Sequence, residues 1–438
     1  MGYGVKDILQ MEVAPALGCT EPVAIALAAA AAASLLQGSA IEQVDLWVDP
    51  NIYKNGMAVS IPGTNGLSGL DMAAALGAIG GDPSLKMEVL SPVDDDIARQ
   101  AAAFVASERV AVNLLSDHKG LYIKTVVKSG KNKAEAIIQD LHDNIVALSR
   151  NGKKITRHSL LATPQQKEKG GLASLEKWLT RLSLEQLFDL IEELDQEDLA
   201  FLEEGLQINL RLAEYGLKHG PGMGIGKALE RLVIQKTLRR DMVLMAKILT
   251  SAAADARMGG VKLPAMSSAG SGNHGLTATL PIQAVSNFIE VPRENILQAV
   301  GFSHIITAYI KAHTGRLSAL CGCSIAAGAG AAAAVTYLLG GTLHHIAGAI
   351  KNITEDLAGV ICDGAKTGCA LKLSTAAGSA VQAALFSLQG ITVMPTDGII
   401  GHSPEDTMRN IGLLATHGMI DTDRTILKIM IEKKFSGF

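Results

Sequence analysis

The sequence predicts an α+β protein: a mainly helical domain carrying a smaller α+β module inserted near the N-terminus. Three observations predict it. Of 438 residues, 48% are hydrophobic, only 4% are aromatic and 45 are Gly, a composition for helices with small faces that approach closely. The stretches Pro22–Ile41 and Leu317–Ile350 contain no Asp, Glu, Lys or Arg, as expected of helices buried on every side. Between them, residues 41–150 switch to β-branched, alternating runs broken by turn residues. The length exceeds one ordinary core. The expected division is residues 1–40 as N-terminal helices joining the helical domain, 41–150 as the α+β module, 151–172 as a Lys/Gln/Gly-rich linker and 173–438 as the helical domain.

Taken in order, residues 5–38 read as helical, interrupted by Pro15 and Gly18. A second helix starts at Thr20-Glu21-Pro22, where proline suits the first turn. The run from Ile41 reads as strands joined by turns at Asp49-Pro50-Asn51 and Lys54-Asn55-Gly56. Leu70–Ile79 is a short helix, Lys86–Leu90 a strand, and Asp94–Ser107 a helix with an acidic start. Arg109–Leu115 and Leu121–Lys128 are strands, and Lys133–Leu148 is a helix. Beyond the linker come helices at Leu172–Arg181, Ser183–Leu194, Asp195–His219 and Gly226–Arg257. Further helices follow at Gln283–Phe288, Arg293–Thr314, Cys323–Leu339, Leu343–Leu357, Ala370–Ser387 and Pro404–His417.

Composition also narrows the function. A net charge of −4 leaves no basic footprint for nucleic acid. The two uncharged stretches are built of Ala and Gly and lack aromatic belts, so no membrane span is expected. Five cysteines are an odd number at low density, and the N-terminus has no basic segment followed by an apolar run. A cytoplasmic protein without a disulfide framework is therefore expected.

Two glycine-rich motifs invite a binding role. His219–Leu229 (HGPGMGIGKAL) is not a phosphate-binding P-loop, because Pro221 stands where the first glycine belongs and Ala228 replaces the hydroxyl residue. It is either a helix–helix connection or a loop whose amides face an anionic group. In Ser267–Gly275 (SSAGSGNHG), backbone N–H groups and the polar side chains of Ser268, Ser271, Asn273 and His274 are suited to grip a carboxylate.

Four cysteines fall within 49 residues, as Cys321, Cys323, Cys362 and Cys369. Any one alone passes as a small buried residue. Zinc favours short C-x-x-C hooks, whereas these pairs have one and six intervening residues. An iron–sulfur cluster tolerates irregular spacing on small-residue loops. Cys323, Cys362 and Cys369 then supply three ligands and leave one iron of a four-iron cluster open as a Lewis acid. Cys323 and Cys369 stand where helices are expected to begin, which favours thiolate.

These residues carry a resemblance. PALGCTEPVAIALA, SSAGSGNHGLTATLPI, GRLSALCGCSIAAG and CDGAKTGCALKL resemble the iron–sulfur-dependent L-serine dehydratase alpha-subunit superfamily, most closely its L-cysteine desulfidase branch, over essentially the whole chain. The resemblance implies a 4Fe-4S cluster, oxygen-labile, on Cys323, Cys362 and Cys369, with Cys321 the substitute if the register shifts by two. It also implies a functional cysteine at Cys19. The cysteine near the C-terminus that reaches the cluster in the dehydratases has no counterpart in KKFSGF. The implied reaction is β-elimination of L-cysteine to pyruvate, ammonia and sulfide in the helical, cluster-binding catalytic domain. L-Serine is the alternative substrate, and a non-enzymatic iron–sulfur redox sensor the alternative class. Substrate is expected on Ser268, Ser271 and Asn273. Cys19 as thiolate is the candidate base and His274 its reserve. A free amino acid is the expected partner, and a homodimer the oligomer to consider.

Overall fold

In the computed structural model, residues 2–433 are described apart from 37, 39, 65, 119, 162–170 and 317. The first half holds α1 (Val5–Glu12), β1 (Pro15–Leu17), α2 (Thr20–Ser34), β2 (Gln43–Val48), α3 (Pro50–Gly56), α4 (Leu70–Gly80), α5 (Asp95–Ala106) and strands β3 (Val110–Leu114), β4 (Tyr122–Ser129), β5 (Asn132–Gln139), β6 (Ile145–Arg150) and β7 (Lys153–Ile155). The second half is helical: α6 (Gly171–Leu179), α7 (Leu184–Asp189), α8 (Gln196–His219), α9 (Ile225–Ile234), α10 (Met242–Met258), then β8 (Pro264–Met266), α11 (Gly272–Ser286), α12 (Arg293–Thr314), α13 (Gly328–Leu338, preceded by a π turn Cys323–Ala327), α14 (Leu343–Leu357), α15 (Cys369–Leu388), α16 (Pro404–Leu413) and α17 (Ile420–Glu432). The α+β expectation therefore holds.

Two large cores divide the chain. One joins α1 to the second-half helices. The other packs α2, α4 and α5 on a six-stranded sheet of order β3-β2-β4-β5-β6-β7, in which only β2 and β3 run parallel. Residues 1–40 are expected to join the helical domain as a unit. The structure corrects this for α2, whose Ala-rich surface is buried almost all round in the sheet core. Ala is the best helix former, and its small side chain lets α4 come very close: a Cβ on Gly77 would lie 2.1 Å from the Ala26 carbonyl oxygen.

Other expectations are also corrected. Lys133–Leu148 is not a helix but the β5–β6 hairpin; its Ala, Glu and Lys residues favour helix, yet Ala134, Ala136 and Ile138 are buried alternately against the core. Tertiary pairing overrides local propensity there. Residues 50–56 form a helix because Asp49 accepts from the Asn51 and Ile52 amides and Pro50 fills the first turn. Lys86–Leu90 lies largely in a 3-10 turn, not a strand. Gly226–Arg257 splits into α9 and α10, and Gln283–Phe288 is only the end of α11, whose first turn takes in Asn273 and His274. Of the expected linker, residues 162–170 lie outside the described residues.

The two cores are tied together across one seam. β1 pairs antiparallel with β8, Pro15 opposite Met266. The Ser267 amide donates to the Ala14 carbonyl at 2.8 Å, and Lys262 Nζ to the Val93 carbonyl at 3.0 Å. Among the described residues one helix, α15, is long and apolar enough to cross a membrane, but 56% of that window is buried inside the protein.

Candidate active site

At the seam lies a cavity with about 870 Å³ of non-atom space, part of it open to solvent, and all five cysteines line it. Local backbone brings them there. An isolated antiparallel bridge joins Leu320 to Ile361. The Cys321 amide bonds the Val360 carbonyl at 2.9 Å and the Cys362 amide the Ala319 carbonyl at 2.6 Å. Gly364 (φ 92°) then turns the chain under α3: a Cβ there would lie 2.5 Å from the Lys54 carbonyl oxygen. Cys323 opens the π turn and Cys369 opens α15. The three expected ligands thus face one cavity, and Cys321 joins them.

Four helices aim their N-termini into this cavity, starting at Thr20, Gly272, Cys323 and Cys369, and none has a side-chain cap. Away from the cavity, α5, α8, α10 and α16 are capped by Asp94, Asp195, Asp241 and Ser403, whereas α4, α9, α12 and α17 also start without a side-chain cap. The helix dipole at such N-termini favours thiolates and anionic ligands, although the amides of Ser324, Ile325, Cys369, Ala370 and Leu371 already donate to backbone carbonyls.

The thiols differ in their surroundings. Cys321 is pushed down to about 6, first by the hydrogen bond from Cys323 and then by hydrogen bonding at Ser324. Cys323 is correspondingly held far up, by that bond and by burial. Burial pushes Cys369 up to about 11 and raises Cys362. Among the described residues no three His, Cys, Asp or Glu groups converge on a single-ion site.

Cys19 is the N-cap of α2, and its Sγ donates to Glu21 Oε2 at 2.9 Å. Thr20 Oγ1 donates to the same oxygen at 3.1 Å, and Asn55 Nδ2 to Oε1 at 2.9 Å. The His142 Nε2 lies 3.9 Å from Oε1. Burial works against the Glu21 charge, but His142 and the hydrogen bonds from Cys19 and Asn55 outweigh it, holding the carboxyl below its ordinary range. Burial and the Glu21 charge push the Cys19 thiol well up. The expectation of a resting Cys19 thiolate is therefore corrected: the sulfur keeps its proton and points it at a carboxylate.

The Ser267–Gly275 segment behaves differently from its sequence reading. Ser268 is fully buried, does not line the cavity, and its Oγ pairs with His304 Nδ1 at 2.9 Å. Ser271 and Asn273 do line the cavity. Asn273 is already engaged, its Oδ1 accepting from Arg257 Nη1 at 2.9 Å and its Nδ2 lying 3.5 Å from Met258 Sδ. Ser268 is thus removed from the substrate-contacting set and becomes a support for the loop. His274 Nδ1 lies 3.2 Å from the Ser268 carbonyl oxygen. That oxygen can only accept, so Nδ1 carries the proton and Nε2 keeps its lone pair. Burial, then Lys311, push His274 down to about 3, so the ring is neutral. Nε2 faces Gly322, where a Cβ would sit 2.4 Å away.

Several cavity residues carried no signal in the motifs. Arg257 is 2% exposed; its Nη2 donates to the Gly18 carbonyl at 2.5 Å, and its Nε has no partner among the described residues. Arg316 pairs with Glu12 at 2.7 Å and Glu176 at 3.0 Å. Lys372 pairs with Asp363 at 2.5 Å. Lys311, on α12, is 4% exposed and pushed down to about 8 by burial and by Arg316. A charge inside an otherwise apolar helical run, as in SAAADARMGG and HIITAYIKAHT, is the sequence signal that marks such residues.

The His219–Leu229 loop has its own anion. The Asp255 carboxylate accepts from the Gly224 amide at 3.1 Å and the Gly226 amide at 3.0 Å. Gly220, Gly222 and Gly224 all take positive φ, from 62° to 68°, to aim that backbone. The motif is a helix–helix connection closed by an internal carboxylate.

The chain is similar to known proteins over most of its length. A family model described as serine dehydratase alpha chain matches residues 87–428. The chain is 62% identical over 437 residues to a UPF0597 protein of Desulfatibacillum aliphaticivorans, and 62% over 437 residues to one of Desulfotalea psychrophila, covering 100% of each chain in both cases. It is 42% identical over 429 residues to a UPF0597 protein of Geobacter sulfurreducens, covering 98% of both chains.

Proposed function

The chain belongs to the serine dehydratase alpha chain family, and from that premise we propose that it is an iron–sulfur lyase that eliminates the β-substituent of L-cysteine, giving pyruvate, ammonia and sulfide. The observation that carries this reading is the gathering of four thiols and four uncapped helix N-termini around one cavity that also holds a thiol–carboxylate couple.

The donor set fits an iron–sulfur cluster. Its thiols are soft ligands on small-residue backbone. They line one cavity, and an iron–sulfur cluster takes each thiolate on a different iron. Cys323, Cys362 and Cys369 would hold a 4Fe-4S cluster, with Cys321 the alternative to Cys323. When bound, the cluster supplies a Lewis-acidic iron for the departing sulfur or hydroxyl.

The chain's own residues handle the proton. Cys19 Sγ passes its proton to Glu21 Oε2 while taking the proton from the substrate Cα; the C–H pair becomes the Cα=Cβ bond as the Cβ–S bond breaks and sulfide leaves, and the released aminoacrylate takes up one water to give pyruvate and ammonia. Asn55 holds Glu21 in place, and Arg257 holds the Gly18–Cys19 turn. The neutral His274, with its Nε2 lone pair beside Gly322, is the second acceptor in reach of the cavity. Ser271 and the first-turn amides of α11 border the space for the amino acid.

The family description favours a second reading, L-serine to pyruvate and ammonia. Anaerobic reconstitution with iron and sulfide, followed by assay of pyruvate and sulfide from L-cysteine beside L-serine, tests both. Turnover of L-serine alone would replace the first reading with the second. A cluster without turnover of either would support a redox sensor and end the lyase reading. Retention of both spectrum and turnover in Cys362→Ala would overturn the ligand set.

A further inference from the structure

One cation on the cavity wall has no hydrogen-bond or ion-pair partner among the described residues. Arg316 and Lys372 are paired with carboxylates, and Arg257 is engaged by Gly18 and Asn273. Lys311 is more than nine-tenths buried and lines the cavity, yet among the described residues it has neither a hydrogen-bond acceptor nor an ion-pair partner. An ammonium taken out of water without a counter-charge is strongly disfavoured in a folded protein unless a ligand supplies that charge. The Glu21 carboxylate on the same cavity is already held by Cys19, Thr20 and Asn55 and by the charge of His142. The complement left open is thus an anionic group.

We infer that Lys311 is the anchor for the α-carboxylate of the substrate, and that the site is built for a free α-amino acid whose carboxylate is unblocked. The inference rests on the lyase reading only for the identity of the β-substituent. The serine loop is a weaker candidate for this task, since Ser268 is turned to His304 and Asn273 is engaged by Arg257. Glu12, already paired with Arg316, and Cys321, Cys323 and Cys362 also act on Lys311 through their charge, but none is its hydrogen-bond partner, and Lys54 and Lys372 act on Cys362 as well.

The test uses full-length protein without its cluster, titrated with L-alanine, which has no leaving group, and with L-alaninamide, which lacks the anion. Wild type should bind L-alanine about tenfold or more tightly than the amide, the ratio expected of one charge-assisted bond. Lys311→Met should lose that preference, and Lys311→Arg should keep part of it. A methionine variant that retains the wild-type preference overturns the inference, as does wild type that binds neither compound or both equally. Retained preference combined with lost iron on reconstitution would assign Lys311 to the cluster instead. If Lys311→Met fails to fold, the wild-type ratio and the arginine variant decide. Should the reconstituted protein turn over neither L-cysteine nor L-serine while alanine preference still follows Lys311, the lyase reading fails and the anchor stands.

Discussion

Lys54→Met offers a severe test of how the two cores build the site together. Lys54 is 2% exposed on α3, and its Nζ lies 2.5 Å from Asp423 Oδ1 on α17 and 3.2 Å from the Cys362 carbonyl oxygen. One ammonium therefore clamps the sheet core, the cysteine loop and the C-terminal helix. Removing one partner of a buried pair costs about 3–5 kcal/mol when the other stays buried. The Asp423 side chain is 23% exposed and water can reach it, which brings the expected loss to about 2–3 kcal/mol. Urea unfolding of Lys54→Met, Asp423→Asn and the double variant should give a coupling of about 1–2 kcal/mol. After anaerobic reconstitution, Lys54→Met should also retain less iron than wild type, because the Cys362 carbonyl has lost its anchor. A coupling near zero with unchanged iron content would refute the clamp.

Three further outcomes follow from the same geometry. Glu21→Gln should lower pyruvate release about a hundredfold or more while the cluster spectrum is unchanged, and Glu21→Asp should recover part of it; equal rates in wild type and Glu21→Gln would remove the carboxylate from the proton path. His274 and His304 are pushed down to about 3 and about 4 by burial, so below pH 6.5 the unfolded chain binds protons that the folded one refuses. Stability should therefore fall with acidification from about pH 6.5 towards those values, by up to about 1.4 kcal/mol per pH unit for each ring; melting temperatures that stay flat from pH 6.5 to 5 would contradict this. Asp255→Ala should cost about 2–4 kcal/mol in chemical unfolding, since it strands the Gly224 and Gly226 amides, and a loss under half a kcal/mol would show that water replaces the carboxylate.

Residue types and spacing carried a good deal of this protein. Small residues around Cys321, Cys323, Cys362 and Cys369 pointed to a soft-ligand cofactor, and Ala-rich, charge-free stretches pointed to buried helices. Both are local properties: a thiol keeps its chemistry, and an Ala-rich segment its helical bias, wherever they fall. The β5–β6 hairpin was misread for the complementary reason, because Ala134 and Ala136 are in strands only through partners on β4 and β6.

What only the folded chain decided is which charges meet. Lys54 and Asp423 stand 369 residues apart, Arg257 and Gly18 239 apart, and no period or motif joins them. The same holds for Ser268, placed by its motif among the substrate contacts and turned by α12 towards His304. Side-chain periodicity is a short-range rule, whereas a hydrogen bond or ion pair is settled by whichever groups packing brings within about 3 Å. The chain alone thus named the chemistry of the thiols, and the packing of two cores across one seam chose the carboxylate, the ammonium and the imidazole that surround them.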